Sequence, residues 1–305
     1  MTESVLSHPD VPRPEAGAAG PAARAGARTI AEPQVLRFSR LNRILHVGMI
    51  VSFISLALTG LTLKFSYTGW AGAVSRFFGG FELAGYFHRA AATLMFGVFI
   101  AHLVDLVRIK RKESLTFRQL IFGPGSLAGN RKDLDELIGN IKWFLGRGPR
   151  PKYGRWTYWE KFDYFAVFWG IFVIGFSGLM LWFPEFFTRF VPGWFLNVAT
   201  IIHSDEALLA TGFIFTVHFF NTHLRPEKFP MDLVVFTGRM PLEEFKRDKP
   251  AEYEALVEAG TLDQYIVEPY PEIVTRGIRA FAWTALALGF SIIVWIIYAM
   301  LFAYR

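Results

Sequence analysis

Residues 84–107 read AGYFHRAAATLMFGVFIAHLVDLV, and residues 200–222 read TIIHSDEALLATGFIFTVHFFNT. Each stretch is close to the roughly 20 residues that a helix needs to cross hydrocarbon. Each also carries two histidines, His88 and His102 in the first and His203 and His218 in the second. The apolar runs predict membrane-spanning helices. An ionisable side chain inside a span costs about 2.5–3.5 kcal/mol on insertion scales, so the histidines point to function rather than packing.

Three further apolar segments, at about 42–65, 160–183 and 277–302, join these two, giving five spans. The fold class expected is an all-α, integral-membrane helical bundle. Composition agrees: 52% of the 305 residues are apolar, with 32 Phe and 9 Trp, and only 19% are charged, against roughly 25% in ordinary globular proteins. The net charge of +6 does not read as a nucleic-acid surface, because the charges cluster between apolar stretches without interleaved aromatics. The absence of cysteine excludes disulfides, thiolate-held iron–sulfur clusters and thioether-attached c-type haem within the chain.

Residues 1–36 are rich in Ala, Pro, Gly and Arg and read as a disordered leader in which His8 has no role. No continuous apolar segment precedes residue 44, so a signal peptide is not expected. The four spans fall within 37–223, followed by a polar segment at 224–276 and the fifth span at 277–305. Within the polar segment, PLEEFKRDKPAEYEALVEAG (241–260) predicts a short surface helix interrupted at Pro250. Twelve Lys and Arg lie between Arg108 and Arg155, whereas the connections at 66–83 and 185–199 hold only Arg76 and Arg189. The positive-inside bias puts the N-terminus and the long middle loop in the cytoplasm of a multi-pass membrane protein. Trp70, Trp182 and Trp194 then mark the outer interface.

An internal repeat ties the spans together. A shift of 118 places Arg37 on Arg155, Phe38 on Trp156 and Ser39 on Thr157. The same shift places the run Thr59–Phe65 on Ser177–Phe183. After a small loop difference His88 corresponds to His203 and His102 to His218, while His46 falls on Tyr164. The first four spans read as a duplicated helical hairpin.

On a helix, His88 and His102 return to within about 40° of one face and lie roughly 21 Å apart; His203 and His218 lie within about 60° and roughly 22 Å apart. The second and fourth spans run parallel, so the histidines sort into an outer tier, His88 with His203, and an inner tier, His102 with His218. Two facing imidazoles at one depth suit a bis-histidine haem, filling both axial positions for electron transfer. Zinc is disfavoured because its structural sites gather four ligands at one point. His46 also lies at the inner depth, so either His46 or His102 pairs with His218. The remaining one, with His223 one turn further at the cytoplasmic interface, is a candidate to hydrogen-bond a quinone. Glu160, Asp163 and Tyr164 are candidates for a proton path, and Arg89 for a haem propionate or for Asp205 or Glu206. Gly60 and Gly178 sit at the outer depth, where they allow porphyrin or a neighbouring helix close approach.

With these residues in view, 37–223 resembles the di-haem cytochrome b subunits of membrane-bound formate dehydrogenases and nickel–iron hydrogenases, the broad bacterial cytochrome b561 group. The resemblance implies two b-type haems. Its ligands, carried over, fall on His46, His88, His203 and His218, pairing His88 with His203 and His46 with His218. His102 departs from that pattern and is similar to the spacing in quinol:cytochrome c reductase cytochrome b. HSDEALLA (203–210) and HFFNTHLRPEKFPMD (218–232) resemble the members that accompany multihaem c-type cytochromes. The resemblance implies electron transfer in a respiratory chain between menaquinone or ubiquinone and an outer partner. That partner would be a multihaem cytochrome or an iron–sulfur or dehydrogenase subunit. A proton- or ion-coupled transporter with a histidine relay is the alternative, although transporters favour inverted repeats and midplane sites, unlike this parallel repeat.

Overall fold

The computed structural model describes residues 32–303, Pro124 excepted; His8 lies outside them. In chain order the elements used below are β1 (Gln34–Leu36), α1 (Arg40–Lys64), α2 (Phe81–Lys112), α3 (Arg131–Phe144), α4 (Tyr158–Trp182), α5 (Trp194–Leu224), β2 (Arg239–Pro241), α6 (Leu242–Asp248), α7 (Pro250–Glu258), β3 (Ile266–Val267) and α8 (Glu272–Ala303). Five of them, α1, α2, α4, α5 and α8, are long and apolar enough to span a membrane. Each starts a few residues before the run expected from the sequence; α2, α5 and α8 also end beyond theirs, whereas α1 and α4 end one residue short. Only 11–22% of each span's most apolar window is buried by the protein itself. Rings such as Phe172 and Phe176 face outward, and lipid is the solvent that accepts such a surface without cost.

The described residues form two compact units. One comprises 45–114, 159–232 and 279–303 and is a helical bundle. Small residues let its helices approach. A Cβ on Gly48 of α1 would come within 2.8 Å of Val98 of α2, and one on Gly175 of α4 within 2.9 Å of Phe96 of α2. Phe162 of α4 packs edge-on against Phe213 of α5, and Phe53 of α1 against Phe215 of α5. Gly289 of α8 is faced by Phe215 and Phe219, seating α8 beside α5. The contacts close a ring of α1, α2, α4 and α5, with α2 and α5 diagonal to one another.

Near its end α5 departs from α-helical geometry: π-helical hydrogen bonding covers Ile214–His218 and Phe220–Leu224. Such widened turns are rare and recur at functional sites.

The other unit comprises 32–44, 115–158 and 233–278. Its three-stranded antiparallel sheet has the order β2-β1-β3. Residues 34–36, expected to close the disordered leader, are therefore the central strand. The physical reason is Val35, which is buried with Met240, Phe245 and Tyr265 in an apolar core. The surface helix expected at 241–260 is present as α6 and α7, broken at Lys249 before Pro250. The middle loop, expected only as a basic connection, contains α3.

The repeat is visible in how this unit is fastened. Arg37 donates to the Arg155 carbonyl and Arg155 to the Arg37 carbonyl, each at 2.9 Å. Phe38 stacks on Trp156 at 5.9 Å. Both guanidiniums converge on the Glu252 carboxylate, Arg37 at Oε2 and Arg155 at Oε1. Corresponding residues of the two repeats thus meet about a local two-fold axis, with one carboxylate on it. Burial alone raises the Glu252 pKa, yet Arg37, Arg155 and Lys249 outweigh it and hold the carboxyl below its ordinary value.

A depressed folded-state pKa means that Glu252 stabilises fully above the ordinary glutamate value of about 4.3. That contribution fades as pH falls through the folded-state value. Glu252→Gln is expected to cost about 3–5 kcal/mol near neutral pH, because it leaves two buried guanidiniums without their counter-charge. It should also flatten the acid limb of the stability profile. Thermal unfolding of the detergent-solubilised chain across that pH range checks both, and an unchanged midpoint would dismiss the clamp.

Candidate functional site

At the outer tier the diagonal helices α2 and α5 bring His88 and His203 face to edge, with ring centroids 6.1 Å apart and planes at 80°. The neighbouring helices decide which nitrogen of each ring is available. The Thr59 hydroxyl donates to the Ser55 carbonyl at 2.6 Å, so its oxygen accepts from His88 Nδ1 at 3.0 Å. His88 also hydrogen-bonds the Leu56 backbone. His203 Nδ1 donates to the Ile174 carbonyl at 2.9 Å and approaches the Ser177 hydroxyl at 3.4 Å, whose proton is committed to the Val173 carbonyl. The shift of 118 relates Leu56 to Ile174 and Thr59 to Ser177, so the repeat carries the anchoring groups as well as the imidazoles. With Nδ1 protonated and tied to a helix, each ring keeps its Nε2 lone pair free. Metal-ligating histidines are oriented in this way.

Gly60 and Gly178 make room for the imidazoles themselves. A Cβ would meet His88 Cε1 at 3.1 Å and His203 Cε1 at 2.9 Å. Where close approach of porphyrin or of a helix was expected from the sequence, the described residues show close approach of an imidazole. The Arg89 guanidinium lies over the rings of Tyr86 and Trp182. Asp205, one of its expected partners, instead pairs with Lys64 at 3.1 Å, and Lys64 also bonds Ser204. Lys64 is a cation beside His203 that the sequence reading missed; its correspondence to Trp182 under the repeat was the available signal.

At the inner tier the two halves differ. His218 Nδ1 donates to Asp163 Oδ2 at 3.1 Å, so a buried carboxylate orients this ring. His46 lies within electrostatic reach of both His218 and His223. π-helical turns make residues five apart neighbours on one face, which brings His218 and His223 to the same side of α5. His223, expected at the interface, is buried at 8% exposure and packs edge-on against Phe219. His102 is engaged elsewhere: its Nε2 shares a 2.8 Å hydrogen bond with Tyr164 Oη, and Asp105 is its charged neighbour. The repeat relates His46 to Tyr164 and His102 to His218. The His102–Tyr164 pair therefore occupies the place symmetric to His46 and His218. Glu160 stands in the first turn of α4, about one turn before Asp163 and Tyr164.

These residues fit haem better than a bare ion. Opposed imidazoles holding one iron through two metal–nitrogen bonds of about 2 Å place their ring centroids roughly 6 Å apart, as His88 and His203 are. Among the described residues no three side chains of His, Cys, Asp or Glu converge on a point that could hold a metal ion.

No curated protein matches the chain. A profile of the prokaryotic cytochrome b561 family matches residues 37–222, a stretch that takes in α1, α2, α4, nearly all of α5 and every histidine from His46 to His218. With 186 of its 305 residues inside that match, the protein belongs to the prokaryotic cytochrome b561 family and is a membrane b-type cytochrome.

Proposed function

We propose that this cytochrome carries electrons between the membrane quinone pool and a partner redox protein by way of two bis-histidine haems. The observation that supports it most directly is the outer pair, two imidazoles with anchored Nδ1 atoms facing one another across 6.1 Å. Haem iron held by two imidazoles supplies reversible one-electron transfer with both axial positions filled.

In this reading His88 and His203 hold the outer haem, and His46 and His218 the inner one, with Asp163 orienting His218. The hydrogen bond to Tyr164 favours His46 over His102 as the inner ligand. His102, Tyr164 and His223 are left to position a quinone carbonyl and exchange its protons, with Asp163 and Glu160 nearby as acceptors. Arg89 and Lys64 are the cations available to haem propionates at the outer end. The quinone is menaquinone or ubiquinone, and the partner is a multihaem c-type cytochrome or an iron–sulfur or dehydrogenase subunit on the outer face. The protein lies in the inner membrane with its N-terminus in the cytoplasm, as its twelve middle-loop cations favour.

Dithionite-reduced protein is expected to show a sharp b-type α-band, and pyridine haemochrome two haems per chain; a colourless protein would return the case to a transporter. His46→Ala should remove one haem. His102→Ala should retain both and slow quinone turnover. Loss of a haem from His102→Ala with none lost from His46→Ala would reverse the inner assignment.

Gly178→Ala should lower outer-haem occupancy more than Gly60→Ala, since its added Cβ meets the imidazole at the shorter distance. Overpacking of this kind costs about 1–3 kcal/mol. Equal occupancy in both variants and the parent, read from the reduced spectrum, would show that the rings can yield.

A further inference from the structure

The middle loop contains a second feature that the electron-transfer reading does not use. Helix α3 is amphipathic in an unusual sense, because its apolar side faces out. Leu134, Ile138, Ile141 and Leu145 recur at intervals of four, three and four residues, which is one stripe of a helix, and all four are exposed, as is Phe144 at 76%. On another side of the helix, Lys132, Gly139 and Lys142 face the segment Arg147–Lys152 across an open groove of ≈ 560 Å³. Five cations line that groove, Lys132, Lys142, Arg147, Arg150 and Lys152, against two carboxylates, Asp135 and Glu136. Lys132 leans toward Glu136 at 3.7 Å and Lys152 bonds Glu254 at 2.6 Å, while Lys142 and Arg147 extend into solvent. Arg150 lies over the rings of Trp143 and Tyr153.

An exposed apolar stripe beside a cationic groove matches the chemistry of one kind of surface, hydrocarbon bordered by phosphate. An amphipathic helix with Lys and Arg on its polar side and Leu, Ile, Phe and Trp on the other lies in a bilayer interface. Connectivity allows this placement. Eighteen residues (113–130) separate α3 from the end of α2, and thirteen (145–157) separate it from the start of α4, so both tethers lead directly into spans. Charge complementarity then selects the lipid. A groove with five cations and two anions favours a phosphodiester headgroup with net negative charge over a zwitterionic one.

We propose that α3 and the segment Arg147–Lys152 form a binding site for an anionic phospholipid, with acyl chains against the Leu134–Leu145 stripe and the headgroup phosphate in the groove.

The full chain in detergent is titrated with phosphatidylglycerol or with phosphatidylcholine of the same acyl chains, and bound lipid is counted by native mass spectrometry. Phosphatidylglycerol should be retained in preference to phosphatidylcholine. Each basic residue near an anionic membrane surface contributes about 1 kcal/mol, or roughly fivefold in affinity. A Lys142→Gln/Arg147→Gln double variant should therefore lose on the order of thirtyfold of the phosphatidylglycerol affinity at unchanged phosphatidylcholine affinity. Ile141→Ser/Leu145→Ser should weaken both lipids while leaving the preference between them. An unchanged haem content and unfolding midpoint in each variant exclude a folding defect. Equal retention of the two lipids by the parent chain overturns the proposal. So does a double variant that binds phosphatidylglycerol as the parent does, or one whose only loss is of a protein partner.

Discussion

An imidazole offers two nitrogens, and tying one of them to the protein determines what the other can do. In this bundle the tie is made to helix backbone. The Thr59 and Ser177 hydroxyls have already spent their protons on carbonyls four residues back. The Ile174 carbonyl can only accept. His88 and His203 are therefore obliged to donate from Nδ1, which leaves Nε2 free on two imidazoles whose centroids lie 6.1 Å apart across the diagonal of the bundle. The packing of α1 against α2 and of α4 against α5 is the means by which that constraint is delivered. The two glycines beside the rings let the anchoring helices come close enough to apply it.

The same duplicated framework is used unevenly one tier further in. Leu45 and His46 correspond to Asp163 and Tyr164, so one half supplies an imidazole where the other supplies a phenol. One half also supplies a carboxylate where the other supplies an apolar side chain. The consequences are chemical. His218 gains a buried carboxylate behind its Nδ1, whereas His102 has its Nε2 occupied by a phenol hydroxyl. Duplication built two equivalent outer positions and two inequivalent inner ones. In the function proposed above, that inequivalence is what would separate electron transfer from the handling of protons at one end of the bundle.

Much of this was legible in the residues before any coordinates. Apolar runs of membrane length gave the spans, and the shift of 118 that aligns Thr59–Phe65 with Ser177–Phe183 gave the pseudo-symmetry. What periodicity missed has specific causes. A constant 100° per residue puts His218 and His223 on different sides of a helix, and the π-helical turns after Phe213 bring them together. No local pattern announces β1, because a three-residue strand depends on partners near residues 240 and 266. The ion pair of Lys64 with Asp205 joins residues 141 apart, and only the fold brings them within reach. The choice between His46 and His102 was open in the sequence because depth alone places both beside His218. The phenol of Tyr164, itself the symmetry partner of His46, bonds His102 and is the ground on which the proposal favours His46.

The shared carboxylate of Glu252 has a bearing on how little of this chain is self-sufficient. The two arginines it joins open the two repeats, but the acid comes from neither; it arrives from sequence beyond Thr222, outside the stretch that matches the family profile. A polypeptide ending at that point would keep His46, His88, His203 and His218 but lose His223, and it would leave two like charges pressed together where Arg37 meets Arg155. The tail of this cytochrome thus supplies the counter-charge that its paired arginines need, and either side without the other is left with an unbalanced buried charge.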